Sequence, residues 1–371
     1  MTSRAGRTVA VAAFVFAVGL GSTLRLKADD SRQFGPWSAP TNLGPIVNTA
    51  TGDFFPFISR DGLSLYFTIV TCGSVPNPPP CFADPEGQGG WDIYVSRRDS
   101  IAMPWGVPKN LGAPVNTPFN EGAPSLSPDG HVMFFASDRG VPPGNLDNDI
   151  YASRRHNKRF DFDELGNSTW QSPESLGDGV NTACDSNHLT CNESSPELFE
   201  DQSTGVITLY FDSNRPSAAS NTGPFTADPA FPRGGGGNNG NDIYTSILQP
   251  DGTFGPATLV TELSTASFDR HPTIRRDGLE MFLASNRPGS LGNTLDLWMS
   301  TRESTSKPWS TPVNLGPGVN STSVTVNGIT YSGADAGPAL SFDSKTLYFQ
   351  SARPGNAGGF DLHVITREKL K

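Results

Sequence analysis

The chain has 371 residues and a formal net charge of −10, from 27 basic and 37 acidic side chains. This balance argues against a nucleic acid or an anionic membrane surface as the partner, because both favour clustered basic charge. Glycine contributes 40 residues and proline 32, which is typical of a folded, turn-rich, all-β chain and stays below the level of low-complexity disorder. A length above about 300 residues requires two domains or a repeat architecture.

Residues 1–28 have the pattern of an export signal. Arg4 and Arg7 precede an apolar run that ends at Leu20, and this run is too short to span a bilayer. No cysteine follows directly, so a lipoprotein anchor is not expected. We therefore expect 29–371 to form a single domain that is periplasmic or extracellular, with no membrane span in the mature chain.

One phrase recurs along the rest of the chain. It consists of an acidic residue, two further residues, Pro, a short strand, a turn, an aromatic strand, and Asp-Ile-Tyr or a variant. Each copy predicts three strands. Asp-Gly at 61–62, 129–130 and 277–278 fits a tight hairpin, because such turns need a positive φ. The copies run over 53–96, 121–153, 193–246, 269–300 and 335–366.

A fourth element carries an aromatic residue and usually Asn-Leu-Gly. Its first copy, with Trp37 and Asn42-Leu43-Gly44, comes before any triplet, and the last triplet has none after it. The segment near Trp37 should therefore complete the last blade and close a ring, which removes free sheet edges. The sequence predicts an all-β, five-bladed β-propeller with four antiparallel strands per blade, about 20 strands in all.

The repeat resembles the bacterial TolB-type, WD40-like β-propeller repeat, whose pattern is close to Ser-Pro-Asp-Gly, an aromatic strand, Ser-Asp-Arg and Asp-Ile-Tyr. Residues 127–130, 137–139 and 149–151 match this pattern nearly letter for letter. The resemblance covers 36–367 and implies the fold. It implies function only broadly, since such propellers serve as envelope scaffolds, protein-binding platforms and occasionally enzymes.

Insertions fall mainly on one end of the ring, the top face, where fourth strands lead to the next first strands and second strands lead to third strands. Long loops on a rigid scaffold are common binding sites, although surface loops also lengthen without function. An alternating pattern around Asn327-Gly328 predicts an extra hairpin. The insertions are 70–90, 180–192, 216–241 and 317–334.

The four cysteines lie in two of these insertions. Cys72 and Cys81 bracket one loop, and Cys184 and Cys191 bracket another. We expect one local disulfide in each loop of an exported protein, although four cysteines allow three connectivities. Neither pair has the Cys-x-x-Cys spacing that lowers a thiol pKa, which argues against redox catalysis.

The acidic residue that starts each repeat is the main candidate for ligand binding or chemistry. All five should lie near the channel mouth on the top face, and four blades add an arginine after the second strand. A ring of inter-blade salt bridges would be purely structural. The blade without an arginine leaves one carboxylate to bind a cation such as calcium, or to act as acid or base. The acids are Asp53, Glu121, Glu193, Asp269 and Asp335, and the arginines are Arg139, Arg215, Arg287 and Arg353.

His271 lies beside Asp269 and Arg270 and is the one histidine in a ring motif. It is the natural extra base or ligand, with a capping or core role as the alternative. If the protein is an enzyme, its catalytic groups come from the five acids and His271. Other five-bladed propellers are glycoside hydrolases with central carboxylates, and paired-carboxylate chemistry needs separations of about 5 to 9.5 Å.

These features favour an exported, monomeric propeller that binds a protein or glycan ligand through its top face and requires no cofactor. Aromatic side chains in or beside the insertions can stack on sugars. The alternative is a glycan-active enzyme, a hydrolase or lyase, that uses the channel-mouth carboxylates with or without a divalent cation. The aromatic residues are Phe82, Trp91, Phe225, Phe231 and Tyr331.

Overall fold

The computed structural model describes residues 34–71, 84, 86–140, 148–157, 160–182, 192–215, 240–326 and 329–370. The predicted export signal and all four cysteines lie outside these residues. The described chain is all-β apart from one short 3-10 helix at Leu291–Asn293. Its helices include none that is long and apolar enough to cross a membrane.

Five four-stranded antiparallel sheets form the predicted blades, and the first strands contact one another in a closed cycle around the axis. Blade 1 contains β2 (Asp53–Ile58), β3 (Ser64–Thr71), β4 (Gly90–Arg97) and β5 (Lys109–Asn110). Blade 2 contains β6 (Glu121–Leu126), β7 (Val132–Ser137), β8 (Asp149–Arg154) and β9 (Glu174–Ser175). Blade 3 contains β10 (Glu193–Glu200), β11 (Ile207–Ser213), β12 (Asp242–Ile247) and β13 (Thr258–Leu259).

The remaining strands complete the ring and confirm the predicted extra hairpin. Blade 4 contains β14 (Asp269–Ile274), β15 (Glu280–Ser285), β16 (Asp296–Thr301) and β17 (Val313–Asn314). The hairpin pairs β18 (Val324–Val326) with β19 (Ile329–Tyr331). Blade 5 contains β20 (Asp335–Leu340), β21 (Thr346–Ser351), β22 (Asp361–Thr366) and, from the start of the described chain, β1 (Thr41–Asn42).

Ring closure follows the prediction, because β1 is the outer strand of blade 5. Thr41 pairs with Val364 and Asn42 with His363. The ring of Trp37 lies edge-on to Phe282 of blade 4, with centroids 5.8 Å apart. The two ends of the chain therefore hold the last blade together.

Hydrophobic clusters fill all five boundaries between blades, and a sixth surrounds the axis at the top face. The aromatic second strands contribute side chains to the boundaries on both sides of each blade, because successive side chains alternate across a sheet. In blade 1, Leu65 and Phe67 pack toward blade 5, whereas Tyr66 packs toward blade 2.

The residue before each repeat proline has a left-handed backbone. Phe55, Ala123, Ser195, His271 and Gly337 have φ between 51° and 60°. Each lies at a shift in the pairing register between the first and second strands. Four of the five are not glycine, so this geometry stores strain of about 1 kcal/mol or more at each. All five residues line the central lumen.

Deletion of the chain through Leu43 should destabilise the whole ring. The variant loses β1 and the Trp37 contacts, and it exposes the edge of β22. We expect a single calorimetric transition lowered by about 5–10 °C. A shorter deletion through Ser31 is the matched control and should leave the melting temperature unchanged. Equal melting temperatures for both deletions would contradict closure by β1.

Candidate functional site

The five acidic residues lie at the top ends of the first strands and are fully buried. Each carboxylate accepts a hydrogen bond from the backbone N–H of a Thr or Ser in the linker that enters its blade, at 2.6–3.0 Å. The carboxylates therefore anchor linkers inside the protein wall, and a ligand cannot reach them unless a linker moves. The pairs are Asp53 with Thr49, Glu121 with Thr117, Glu193 with Thr182, Asp269 with Thr265, and Asp335 with Ser321.

The linkers share a tripeptide of the type Val-Asn-Thr. Its first residue is buried, and its middle residue bonds both the N–H and the C=O of the preceding blade's third strand, as Asn116 does with Ile93 at 2.9 Å. Its last residue bonds the acid of the following blade. The recurrence is visible in the sequence, but its role depends on contacts across the boundary. The tripeptides are 47–49, 115–117, 180–182, 263–265 and 319–321.

The four arginines join the same anchors. Each guanidinium lies 2.5–3.1 Å from the acid of its own blade, and it also donates to the carbonyl of the first linker residue. Arg139, for example, bonds both Glu121 and the carbonyl of Val115. Each ion pair lies within one blade. The bond from the guanidinium to the linker carbonyl connects that pair to the boundary with the preceding blade.

Burial dominates the protonation of Glu121, Glu193 and Asp269. It raises the pKa of Glu121 to about 7 in spite of the Arg139 charge, and it raises the pKa of Glu193 and of Asp269. The cost of removing charge from water exceeds the compensation from one guanidinium and two or three hydrogen bonds.

Blade 1 has no arginine at this position. Ile69 pairs with Asp53 where Ser137 pairs with Glu121, and Thr71 takes the place of Arg139. Burial and, to a smaller degree, the charge of Asp361 raise the pKa of Asp53 to about 8. Asp53 is therefore largely protonated at neutral pH, and this proton stands where an arginine pairs with the acid in the other four blades.

Replacement of Arg139 by alanine should cost about 1–3 kcal/mol of unfolding free energy, because it leaves Glu121 buried without its cation and the Val115 carbonyl without a donor. Urea denaturation checks this value. Lys307→Ala, at an exposed position, is the control and should stay within about 0.5 kcal/mol of the wild type. Equal effects of the two substitutions would show that the anchor contributes nothing to stability.

Asp53→Asn tests whether the anchor acid of blade 1 is protonated. Asparagine keeps an acceptor for Thr49. The raised pKa of about 8 means that folding takes up a proton between about pH 4 and pH 8, so this acid lowers stability as pH rises through that window. The unfolding free energy of the variant, relative to that of the wild type, should therefore rise by about 4 kcal/mol between pH 5 and pH 9. A pH-independent difference in unfolding free energy would refute a neutral Asp53.

His271 lies in the wall of the lumen, which has a volume of only about 40 Å³. Its Nδ1 accepts a hydrogen bond from the N–H of Gly337 at 3.3 Å, and its ring lies 5.1 Å from that of Phe55. Burial and the nearby Arg270 lower the pKa of His271 to about 3. The imidazole is thus neutral and packed, as in the core alternative, and the lumen has room for water alone.

Aromatic side chains close the top end of the channel among the described residues. Phe54 and Phe55 are buried in the axial cluster with Phe360. Trp91, predicted to stack on sugars, instead stacks on Phe54 with ring centroids 5.2 Å apart. Tyr331 lies on the extra hairpin, at the end of β19. Phe82, Phe225 and Phe231 lie outside the described residues, as do most of the inserted loops.

The opposite end of the channel opens into a cavity of about 550 Å³, the axial funnel. This volume falls in the range of small-molecule sites. Its wall consists of the ends of first strands and the turns that follow them. Phe57 and Glu197 line both the lumen and the funnel, so they mark the floor.

Glu197 is a carboxylic acid that the sequence analysis did not single out. It follows the repeat proline of blade 3, where the other blades carry Phe57, Ser125, Thr273 and Ala339. Its Oε1 accepts bonds from the Thr273 hydroxyl at 3.2 Å and the Ile274 N–H at 3.4 Å. Burial raises the pKa of Glu197 to about 7, so both protonation states are populated at neutral pH.

One position of the turn between the first and second strands faces the funnel in every blade. The side chains there differ, although the turns are equivalent. In blades 4, 5 and 1 they form a continuous stack, because Arg60 and Arg276 pack on the ring of Phe342, with Cζ at 4.3 and 4.5 Å from its centroid. The five residues are Arg60, Pro128, Gln202, Arg276 and Phe342.

Metal binding was tested on the part of the chain that the structure describes. There, no three His, Cys, Asp or Glu side chains converge as a metal site requires. The predicted calcium site therefore stays a prediction.

No family model and no curated protein matches the sequence. Solved structures with a similar fold include an exo-1,5-alpha-L-arabinanase from a bovine ruminal metagenomic library, with a TM-score of 0.51 and 12% identity over 88% of this chain and 99% of that chain. A thermostable family-43 glycoside hydrolase gives 0.48 at 12% identity, over 89% and 93%. TolB from Acinetobacter baumannii gives 0.38 at 12% identity, over 84% and 54%. The similarity to the arabinanase supports the propeller fold alone.

Proposed function

We propose that this protein is an exported propeller that binds a carbohydrate in its axial funnel. The observation that carries the proposal is the 550 Å³ cavity with an aromatic ring at its mouth and a carboxylic acid at its floor. Sugars present apolar ring faces and many hydroxyl groups. Phe342 offers the exposed part of its ring for the former, and Glu197 and Gln202 offer hydrogen bonds for the latter.

The funnel lies on the face opposite the inserted loops. Binding of a protein or glycan through those top-face loops stays a prediction, because most of their residues lie outside the described chain. The funnel is the better supported site, since its lining comes from rigid strand ends and short turns that fix the side chains in place.

Glycan hydrolysis is the second candidate, and one observation favours it. Glu197 has a pKa of about 7, which suits a general acid at neutral pH. The structural neighbour named an arabinanase shows that this fold supports glycan hydrolysis in another protein. The five ring acids are buried anchors, so a second carboxylate would come from Glu200 of the funnel wall.

Titration calorimetry with a panel of oligosaccharides tests the binding proposal. Phe342→Ala should weaken a bound sugar at least tenfold, which corresponds to about 1.4 kcal/mol of lost stacking and apolar contact. Phe160→Ala removes an exposed phenylalanine that lies outside the funnel, and it should leave affinity unchanged. Absence of saccharide binding to the wild type, or equal losses in both variants, would refute a sugar site in the funnel.

Release of reducing ends from the same oligosaccharides separates binding from hydrolysis. An enzyme should lose activity in Glu197→Gln while still binding the sugar, because glutamine keeps the shape and hydrogen bonding of the side chain but has no proton to transfer. Binding without product release by the wild type would leave the protein a binding module.

A further inference from the structure

Two cations at the mouth of the funnel have no ionic partner within the described residues. Arg60 and Arg276 are both exposed, and neither takes part in the salt bridges there. Neighbouring arginines behave differently, since Arg155 pairs with the buried Asp161 and Arg275 with Asp277. The funnel therefore presents two unneutralised guanidinium groups toward a ligand.

Phe342 holds these two cations in place. Both guanidinium groups lie over one aromatic ring, and this contact limits their motion. Their Cζ atoms lie no more than about 9 Å apart, so one anionic group, or two on adjacent sugar residues, can engage both. Such preorganisation lowers the entropy cost of binding.

Two acidic side chains nearby, Asp61 and Asp129, each keep an oxygen engaged in their own turns and form no ion pair with Arg60 or Arg276. Asp61 accepts bonds from the Ser59 hydroxyl at 2.6 Å and the Leu63 N–H at 3.0 Å, and Asp129 binds its own turn in the same way. These carboxylates are committed to turn geometry. The funnel thus carries both signs of charge, with the unpaired Arg60 and Arg276 at the mouth, Glu197 at the floor and Glu200 in the wall.

From this arrangement we infer that the saccharide bound in the funnel is acidic, with carboxylate groups of the uronic acid type. Its carboxylates bind the forked N–H edges of Arg60 and Arg276, and its hydroxyls point toward the floor. Arginine suits this role because its planar fork matches a carboxylate bidentately. The inference rests on the proposed function, since it names the class of sugar that the same site takes.

Trigalacturonate and a neutral galactose trisaccharide are suitable probes for calorimetry with the full-length protein at low salt. The acidic trisaccharide should bind at least tenfold more tightly than the neutral one, and its affinity should fall as salt rises. Arg60→Gln and Arg276→Gln should each weaken it about tenfold, and the double variant should bind both trisaccharides alike. Lys307→Gln, which removes an exposed cation outside the funnel, is the matched control and should change neither affinity.

The outcomes separate the two proposals. Equal binding of both trisaccharides, unchanged in the arginine variants, would overturn the acidic preference and leave the sugar site intact. Binding of neither would overturn both. Inorganic phosphate is the third probe, because a guanidinium pair also suits phosphate. Phosphate binding that depends on both arginines, without trigalacturonate binding, would replace the sugar carboxylate by a phosphate group and refute the inference. Unchanged melting temperatures of the variants show that the losses are local.

Discussion

The boundary between blades depends on one buried interaction, a carboxylate that holds the linker entering its own blade. The five blades are separate sheets, so the only backbone continuity between them passes through the linkers. Each linker is bonded backward to a third strand by its middle residue and forward to the acid by its last residue. Because each linker is bonded on both sides, these contacts fix the relative position of neighbouring blades, and the hydrophobic clusters then fill a boundary whose geometry is already set.

The anchors leave the other end of the channel for the proposed binding site. The top ends of the first strands are committed to the anchors, and an aromatic cluster covers the axis there. At the opposite end, Asp61 and Asp129 show how a turn aspartate and the following glycine satisfy the backbone by themselves. The side chain of the residue before each such aspartate takes no part in these hydrogen bonds. Arg60 and Pro128 occupy this position in blades 1 and 2, and both line the funnel.

The blades, ring closure and extra hairpin were predictable because periodicity, turn chemistry and the order of elements are local or repetitive signals. The site was less predictable. The five acids each stand three residues before the repeat proline, which indicated a shared role, but burial beneath linkers depends on packing across boundaries. Other blades carry Phe57 or Thr273 at the position of Glu197, so the residue type alone does not identify Glu197 as functional. Glu197 is notable because it lies at the floor of a cavity, and that cavity forms only when the ring closes.

The shared last blade also has a kinetic consequence. Asn42 contacts Asp361 at 2.7 Å across 319 residues of sequence, and Gly35 donates to Glu368 at 2.8 Å. Contacts of such separation are slow to form because loop closure must come first. During synthesis the first segment must wait, without its partner, until the final strand has emerged from the ribosome. The blades between them can assemble in order, but cooperative protection of the whole ring begins only when that last pairing forms.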